Sequence, residues 1–278
     1  LPQLEAVGRI ASSEERIAQY TRLLEHALHD TPSASLPSLV RTYVDGAVLD
    51  PVNTTGAGLL VGRHMLAHLA TQLAAAHIPA NILCAIVSDT LATCEASSIM
   101  GDDELGPWRV LLAEQYASLS RWRDAAQALQ SITPHAARRI PQLSFAQLCV
   151  RVVELWLHDL PSHVAEAEQA IKRANSAILD ERDNKALVHE LWSYHARVLA
   201  IQNRFMEAAA RYMDLPHADM YAAVYAIISP PSAQRTSMLT RLAQRASAWP
   251  FAQTLHHAAE GRFLRPADLE ALAPFLGG

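Results

Sequence analysis

Lysine is nearly missing from this chain. Only Lys172 and Lys185 occur among 278 residues, so almost all positive charge is arginine, which we read as compositional bias and not as a site. The net charge is −5 with an isoelectric point near 6.2. A basic footprint is therefore lacking, and no nucleic-acid partner is expected. Cysteine is sparse and odd in number: Cys84, Cys94 and Cys149. That suits buried free thiols in a reducing compartment. Ten glycines and 6% aromatics are few, which argues against turn-rich β architectures. No run of about 18 apolar residues occurs, so no transmembrane helix and no membrane partner are expected. The stretch from Leu1 to Ile17 shows no basic-then-apolar signal pattern. Without such a signal, the glycosylation triplet Asn53-Thr54-Thr55 reads as chance.

What the chain does contain is apolar helical text. Half of it is hydrophobic, ample for a sizeable core, and charged residues make up 18%. Ser13-Glu14-Glu15-Arg16 opens a helix with a hydroxyl cap and acids in its first turn. Ile17, Tyr20, Leu24, Ala27 and Leu28 then recur at helical spacing, and Thr31-Pro32-Ser33 stops the run. Further helices are predicted over about 36–48, 59–77 and 80–97, with a loop over 50–56. A face of Trp108, Leu111, Leu112, Gln115 and Tyr116 begins the next. Late in the chain, Ser229-Pro230-Pro231-Ser232 is a break, followed by helices over 236–248 and 252–260 and a short one from Pro266. That last helix stops almost at once, at Phe275-Leu276-Gly277-Gly278, so the pattern looks truncated.

One unit recurs. Trp122, Val164 and Phe205 each open a helix, 42 and 41 residues apart. Each is followed two residues later by an acid (Asp124, Glu166, Glu207), three later by alanine, and seven later by Leu129, Ile171 or Tyr212. We take the three as structural repeat anchors, buried between helix pairs. A period of 20–50 residues signals a solenoid, because one helix pair cannot bury its own apolar face. The spacing exceeds the roughly 34 residues of a tetratricopeptide repeat. The expectation is all-α: an irregular TPR-like helical-repeat solenoid, a curved arm of antiparallel helix pairs. Its parts are N-terminal repeats over 1–107, central repeats over 108–228, and the start of a further helical subdomain over 229–278.

A search for chemistry comes back empty. His64 and His68 have the one-turn spacing of two zinc ligands, but Met65 stands where a metalloprotease base would, and no third ligand is placed. His26 with His29, and His256 with His257, are equally isolated, and no His-x-His occurs. The glycine-rich Gly56 to Gly62 stretch follows a loop and lacks a lysine, so it is no phosphate cradle. No Gly-x-Ser-x-Gly elbow is present. Asp102, Asp103 and Glu104 read as a solvated loop or helix N-terminus. No catalytic residue, cofactor or metal is expected, and the chain is expected not to be an enzyme.

The repeat text resembles a known family. Trp122-Arg123-Asp124-Ala125-Ala126-Gln127 with Leu129 is similar to the W-R-N-A-A-Q-V-L stretch of the subunit-four family of the COP9 signalosome. Lys172-Arg173-Ala174-Asn175-Ser176 resembles its I-N-R-A-S. Tyr194 to Leu199 followed by Arg204 to Tyr212 resembles its Y-x-A-R-V-L and R-x-F-x-E-A-A-x-R-Y. Ser232 to Leu239 and Gln19 to Leu24 resemble two more pieces, in the same order. Residues 51–97 match poorly, and Pro230-Pro231 and the short Pro216 to Asp219 connection depart from the pattern. The resemblance implies a helical-repeat arm breaking off before or at a PCI winged-helix module. It implies a non-catalytic scaffold, partnered by the other signalosome subunits and by a cullin–RING ubiquitin ligase, in the removal of NEDD8 from cullins. It points to the N-terminal arm as the face towards that ligase, with Arg9, Arg16, Arg22 and Arg41 as candidate contacts. Alternatives are a PCI subunit of the proteasome lid, which shares the architecture, a peptide-binding repeat adaptor, and an α-helical enzyme.

Overall fold

The computed structural model describes residues 4–140, 143–178, 184–246 and 248–275. Among the described residues every regular element is helical. The chain forms two compact units, Leu1–Leu155 and Trp156–Gly278.

The first unit contains α1 (Leu4–Gly8), α2 (Ser13–Asp30), α3 (Leu36–Tyr43), α4 (Pro51–Thr54), α5 (Leu59–Ala75), α6 (Ala80–Ser97), α7 (Asp102–Ser118), α8 (Trp122–Gln130) and α9 (Pro134–Ala137). A π-helical turn over Val44–Val48 prolongs α3, which accounts for the single long helix expected over 36–48. The loop expected at 50–56 contains α4, begun by Asp50, whose side chain accepts from Val52 N at 2.8 Å. Ser12, one residue before the expected cap, accepts from Glu15 N at 3.4 Å to start α2. Tyr20 and Leu24 on one face of that helix are wholly buried, as are Tyr43, Val61, Met65, Leu66, Leu69 and Leu73 opposite them. Trp108 of α7 completes this core; its indole N–H finds no partner among the described residues.

α10 (Phe145–Leu157) runs across the division. The second unit contains α11 (Val164–Ala177), α12 (Lys185–Ile201), α13 (Phe205–Met213), α14 (Asp219–Ile228), α15 (Ala233–Ala243), α16 (Ala252–Ala259) and α17 (Pro266–Glu270). Successive helices from α11 to α16 pack on one another in chain order. Their core is made largely of small residues, with Ala196, Ala208, Ala209, Ala222, Ala223 and Ala226 fully buried. Small side chains let helix axes approach closely, which is how a chain poor in large aromatics still fills its interior.

The boundary expected at 107/108 falls inside α7, whose Leu105, Trp108 and Leu111 belong to the same core as α5 and α6. Cutting there would part the first six residues of the helix from the other eleven. The Leu276 to Gly278 end lies outside the described residues.

Candidate functional site

Two sets of residues carry the functional expectation: the repeat turns and the N-terminal arginines. The turns are built alike. At the end of α7, Ser120 adopts φ +58, Ser120 N–H donates to Ala117 O at 2.9 Å and Arg121 N–H to Tyr116 O at 2.8 Å. At the end of α12, Asn203 adopts φ +61, donating to Ala200 O at 3.0 Å, while Arg204 N–H donates to Leu199 O at 2.9 Å. Both are Schellman closures, with a left-handed residue satisfying the last carbonyls of the helix. A basic residue then precedes the next helix and reaches the acid of its first turn. Arg121 Nε donates to Asp124 Oδ2 at 2.7 Å, and Arg204 Nε to Glu207 Oε1 at 2.8 Å. Before α11, His163 takes the same place, with Nδ1 3.4 Å from Glu166 Oε1. The acid common to all three units is thus half of a helix-entry clasp.

The anchors themselves are less buried than expected. Trp122, Val164 and Phe205 are half-buried, whereas Ala125, Ala126, Ala167, Ala208 and Ala209 are wholly buried, and the apolar residue of each unit seven positions on is nearly so. The anchor opens its helix, so its side chain sits at the rim of the packed layer, while the first full turn carries the contact. Phe205 ends a column of rings. Its centroid is 6.3 Å from that of Tyr225, Tyr225 lies 5.4 Å from Tyr212, and Tyr212 lies 5.5 Å from the half-exposed Tyr221. On its open side Phe205 lines a surface groove of about 270 Å³ with Met206, Pro230 and Pro231. Burial, then the Arg211 and Arg204 guanidiniums, hold the nearby His195 below its ordinary value.

The four arginines separate sharply. Arg9 and Arg22 are exposed and form no ion pair among the described residues. Arg41 is exposed but committed, donating to both Asp89 oxygens at 2.7 and 2.9 Å with Asp45 at 3.4 Å. Arg16 is only 5% exposed and cannot meet a partner. It shares a face with Tyr20 and Leu24 at four-residue steps, and that face is the buried one. Its Nη1 donates to Asn53 Oδ1 at 2.8 Å and its Nη2 to Ser13 Oγ at 3.2 Å, while Nε has no hydrogen-bond partner. Asn53 in turn donates to Ala47 O at 3.0 Å and Tyr20 Oη at 3.3 Å. Burial raises the Tyr20 phenol above its ordinary value. With Asn53 wholly buried and its side chain engaged, this fold has no room for a glycan on the triplet.

The acidic triplet is a helix N-terminus, one of the two readings expected of it, with Asp102 exposed and its two neighbours progressively covered. It forms the first turn of α7, and the Glu104 side chain is only 7% exposed. That carboxylate accepts from Gly101 N–H at 3.0 Å and Arg139 Nη1 at 2.9 Å, with Arg63 Nε at 3.1 Å out of line for a hydrogen bond. Asp103 lies 2.6 Å from His135 Nδ1, which holds its carboxyl below the ordinary range. These contacts tie α9 and α5 to the start of α7.

Among the described residues no group of three or more His, Cys, Asp or Glu side chains could hold a metal ion. His64 is exposed, and His68 Nε2 lies 3.9 Å from Glu25. Cys84, Cys94 and Cys149 are buried and outside any disulfide, and burial pushes the Cys94 thiol up to about 11. No described helix is long and apolar enough to cross a membrane.

A scan against models of known protein families finds no match. Single proteins do match. The chain is 29% identical over 260 residues to COP9 signalosome complex subunit 4 of Caenorhabditis elegans, covering 84% of this chain and 63% of that protein. It is 25% identical over 210 residues to the protein of the same name from Arabidopsis thaliana, covering 75% and 49%. The Drosophila melanogaster protein of that name matches at 25% over 210 residues, covering 73% and 48%. The chain thus spans from about half to just under two thirds of the length of these relatives.

Proposed function

We propose that this chain, which belongs to the subunit 4 family of the COP9 signalosome, is a non-catalytic scaffold subunit of that complex. In this reading it binds sister subunits, helps present a cullin–RING ligase for removal of NEDD8, and works in the cytoplasm and nucleus. Similarity extending over most of the chain, to relatives that share one name, carries the proposal. The geometry is in keeping with it: stacked helices and repeated clasped turns. Unpaired Arg9 and Arg22 supply charge that would speed encounter with an acidic surface more than it would add affinity.

The test is a pull-down with the tagged chain from native extract, read by mass spectrometry. Signalosome subunits and cullins are the expected catch. Recovery of proteasome lid subunits instead, or of neither set, would overturn the assignment.

A further inference from the structure

We propose that Thr31 is a phosphorylation site for a proline-directed protein kinase. The chain holds three Ser/Thr-Pro dipeptides, Thr31-Pro32, Thr133-Pro134 and Ser229-Pro230, and the fold treats them differently. Ser229 is only 4% exposed, and its hydroxyl donates to Tyr225 O at 2.6 Å. Thr133 caps α9, its Oγ1 accepting from Ala136 N at 3.2 Å, and the two alanines of that helix are buried. Presenting either hydroxyl to an enzyme means breaking a cap or opening a packed helix. Thr31 is half-exposed, as Thr133 is, but no hydrogen bond of its hydroxyl is seen among the described residues.

The backbone there is already in the form a kinase cleft requires. Thr31 is extended at φ −94, ψ 127, and Pro32 follows at φ −60, ψ 146, a polyproline-like conformation. Pro32, Ser33, Ala34 and Ser35 are all exposed. The short 3-10 turn they form is closed by two backbone bonds, Ser35 N–H to Pro32 O at 2.9 Å and Leu36 N–H to Ser33 O, so local opening costs little. In the reaction Thr31 Oγ1 attacks the γ-phosphorus of ATP. A new O–P bond forms, the bond to the β,γ-bridging oxygen breaks, ADP leaves, and the hydroxyl proton passes to the kinase base. The product puts a phosphate beside Asp30 at the negative end of α2, where like charge and the helix dipole both loosen the turn.

The experiment incubates the folded chain with a purified cyclin-dependent or mitogen-activated kinase and Mg-ATP, and maps phosphate by mass spectrometry. Labelling of Thr31 is expected to exceed that of Thr133 and Ser229 at least roughly tenfold, the ratio a broken cap and local opening would impose. Thr31→Ala and Pro32→Ala should abolish it, and the urea-unfolded, rapidly diluted chain should lose the preference. Equal or greater labelling of Thr133 or Ser229 in the folded chain overturns the proposal. So does an unlabelled folded chain when a peptide of residues 27–36 is labelled. Hydrogen exchange on the product should speed up over residues 27–31, and unchanged exchange would overturn the loosening.

Discussion

Arg16 shows how little a residue's type says about its role without its face. Four arginines near the start of the chain look alike in one dimension, yet one is interior, one is spent on Asp89, and two are open. The clue was present, since Arg16, Tyr20 and Leu24 step along one stripe of α2. The pull of charge towards solvent concealed it. A buried guanidinium held by neutral acceptors depends on each of them. We predict that Asn53→Ala destabilises the protein by about 3 kcal/mol, because it leaves a buried charge uncompensated. Arg16→Met, which removes the charge and keeps the volume, should cost clearly less. Urea denaturation of both variants checks the order.

At the scale of the element, the repeat is legible in sequence as an acid and an alanine at fixed offsets, and the structure explains both. The acid answers the basic residue before the helix, and the alanine is the contact point. What the sequence pattern overstated was the anchor, because large aromatics draw attention that buried alanines do not. The left-handed residue of the turn also went unread, since it is serine once and asparagine once. A non-glycine residue there costs about 1–2 kcal/mol, offset by the roughly 0.5–1 kcal/mol glycine loses in the unfolded chain. Ser120→Gly should therefore stabilise by about 0.5–1 kcal/mol, and Asn203→Gly by less, as asparagine tolerates this region. Thermal melts decide it.

The same element carries a pH dependence. His195 of α12 has a folded value below its ordinary 6.5, so the unfolded chain takes up its proton first. Its contribution is complete above about 6.5 and falls as the pH drops below that value. Asp103, held low by His135, keeps its contribution above its ordinary 3.8 and loses it only on further acidification. Denaturation at about pH 7.5 and about pH 5.5 should show a loss that His195→Gln reduces, because the variant has no proton to gain there. An equal loss in the variant would place the effect on other histidines.

For the whole molecule, the surface left to partners is narrower than the arginine content suggests. Charge reversal at Arg9 and Arg22 together should slow association with a cullin–RING complex in a reassembled signalosome at low salt, with the difference shrinking at moderate salt. Reversal at Arg41 should instead cost stability, since it would set three carboxylates together with Asp89 and Asp45. Unchanged rates at both salts, with assembly intact, would remove Arg9 and Arg22 from the encounter.

By itself the sequence determined the helices and their recurrence. The start and end of α6, and the starts of α8, α11 and α13, fall where periodicity put them. These are local matters of spacing, caps and breakers, written in neighbouring residues. Only the tertiary structure decided which side of each helix is covered. It buried Arg16, Ser229 and the Glu104 side chain, and it brought the helices up to α10 into one compact unit. Those outcomes depend on contacts between residues far apart in the chain. Burial is a property of the partner surface as much as of the residue, and no local pattern contains the partner.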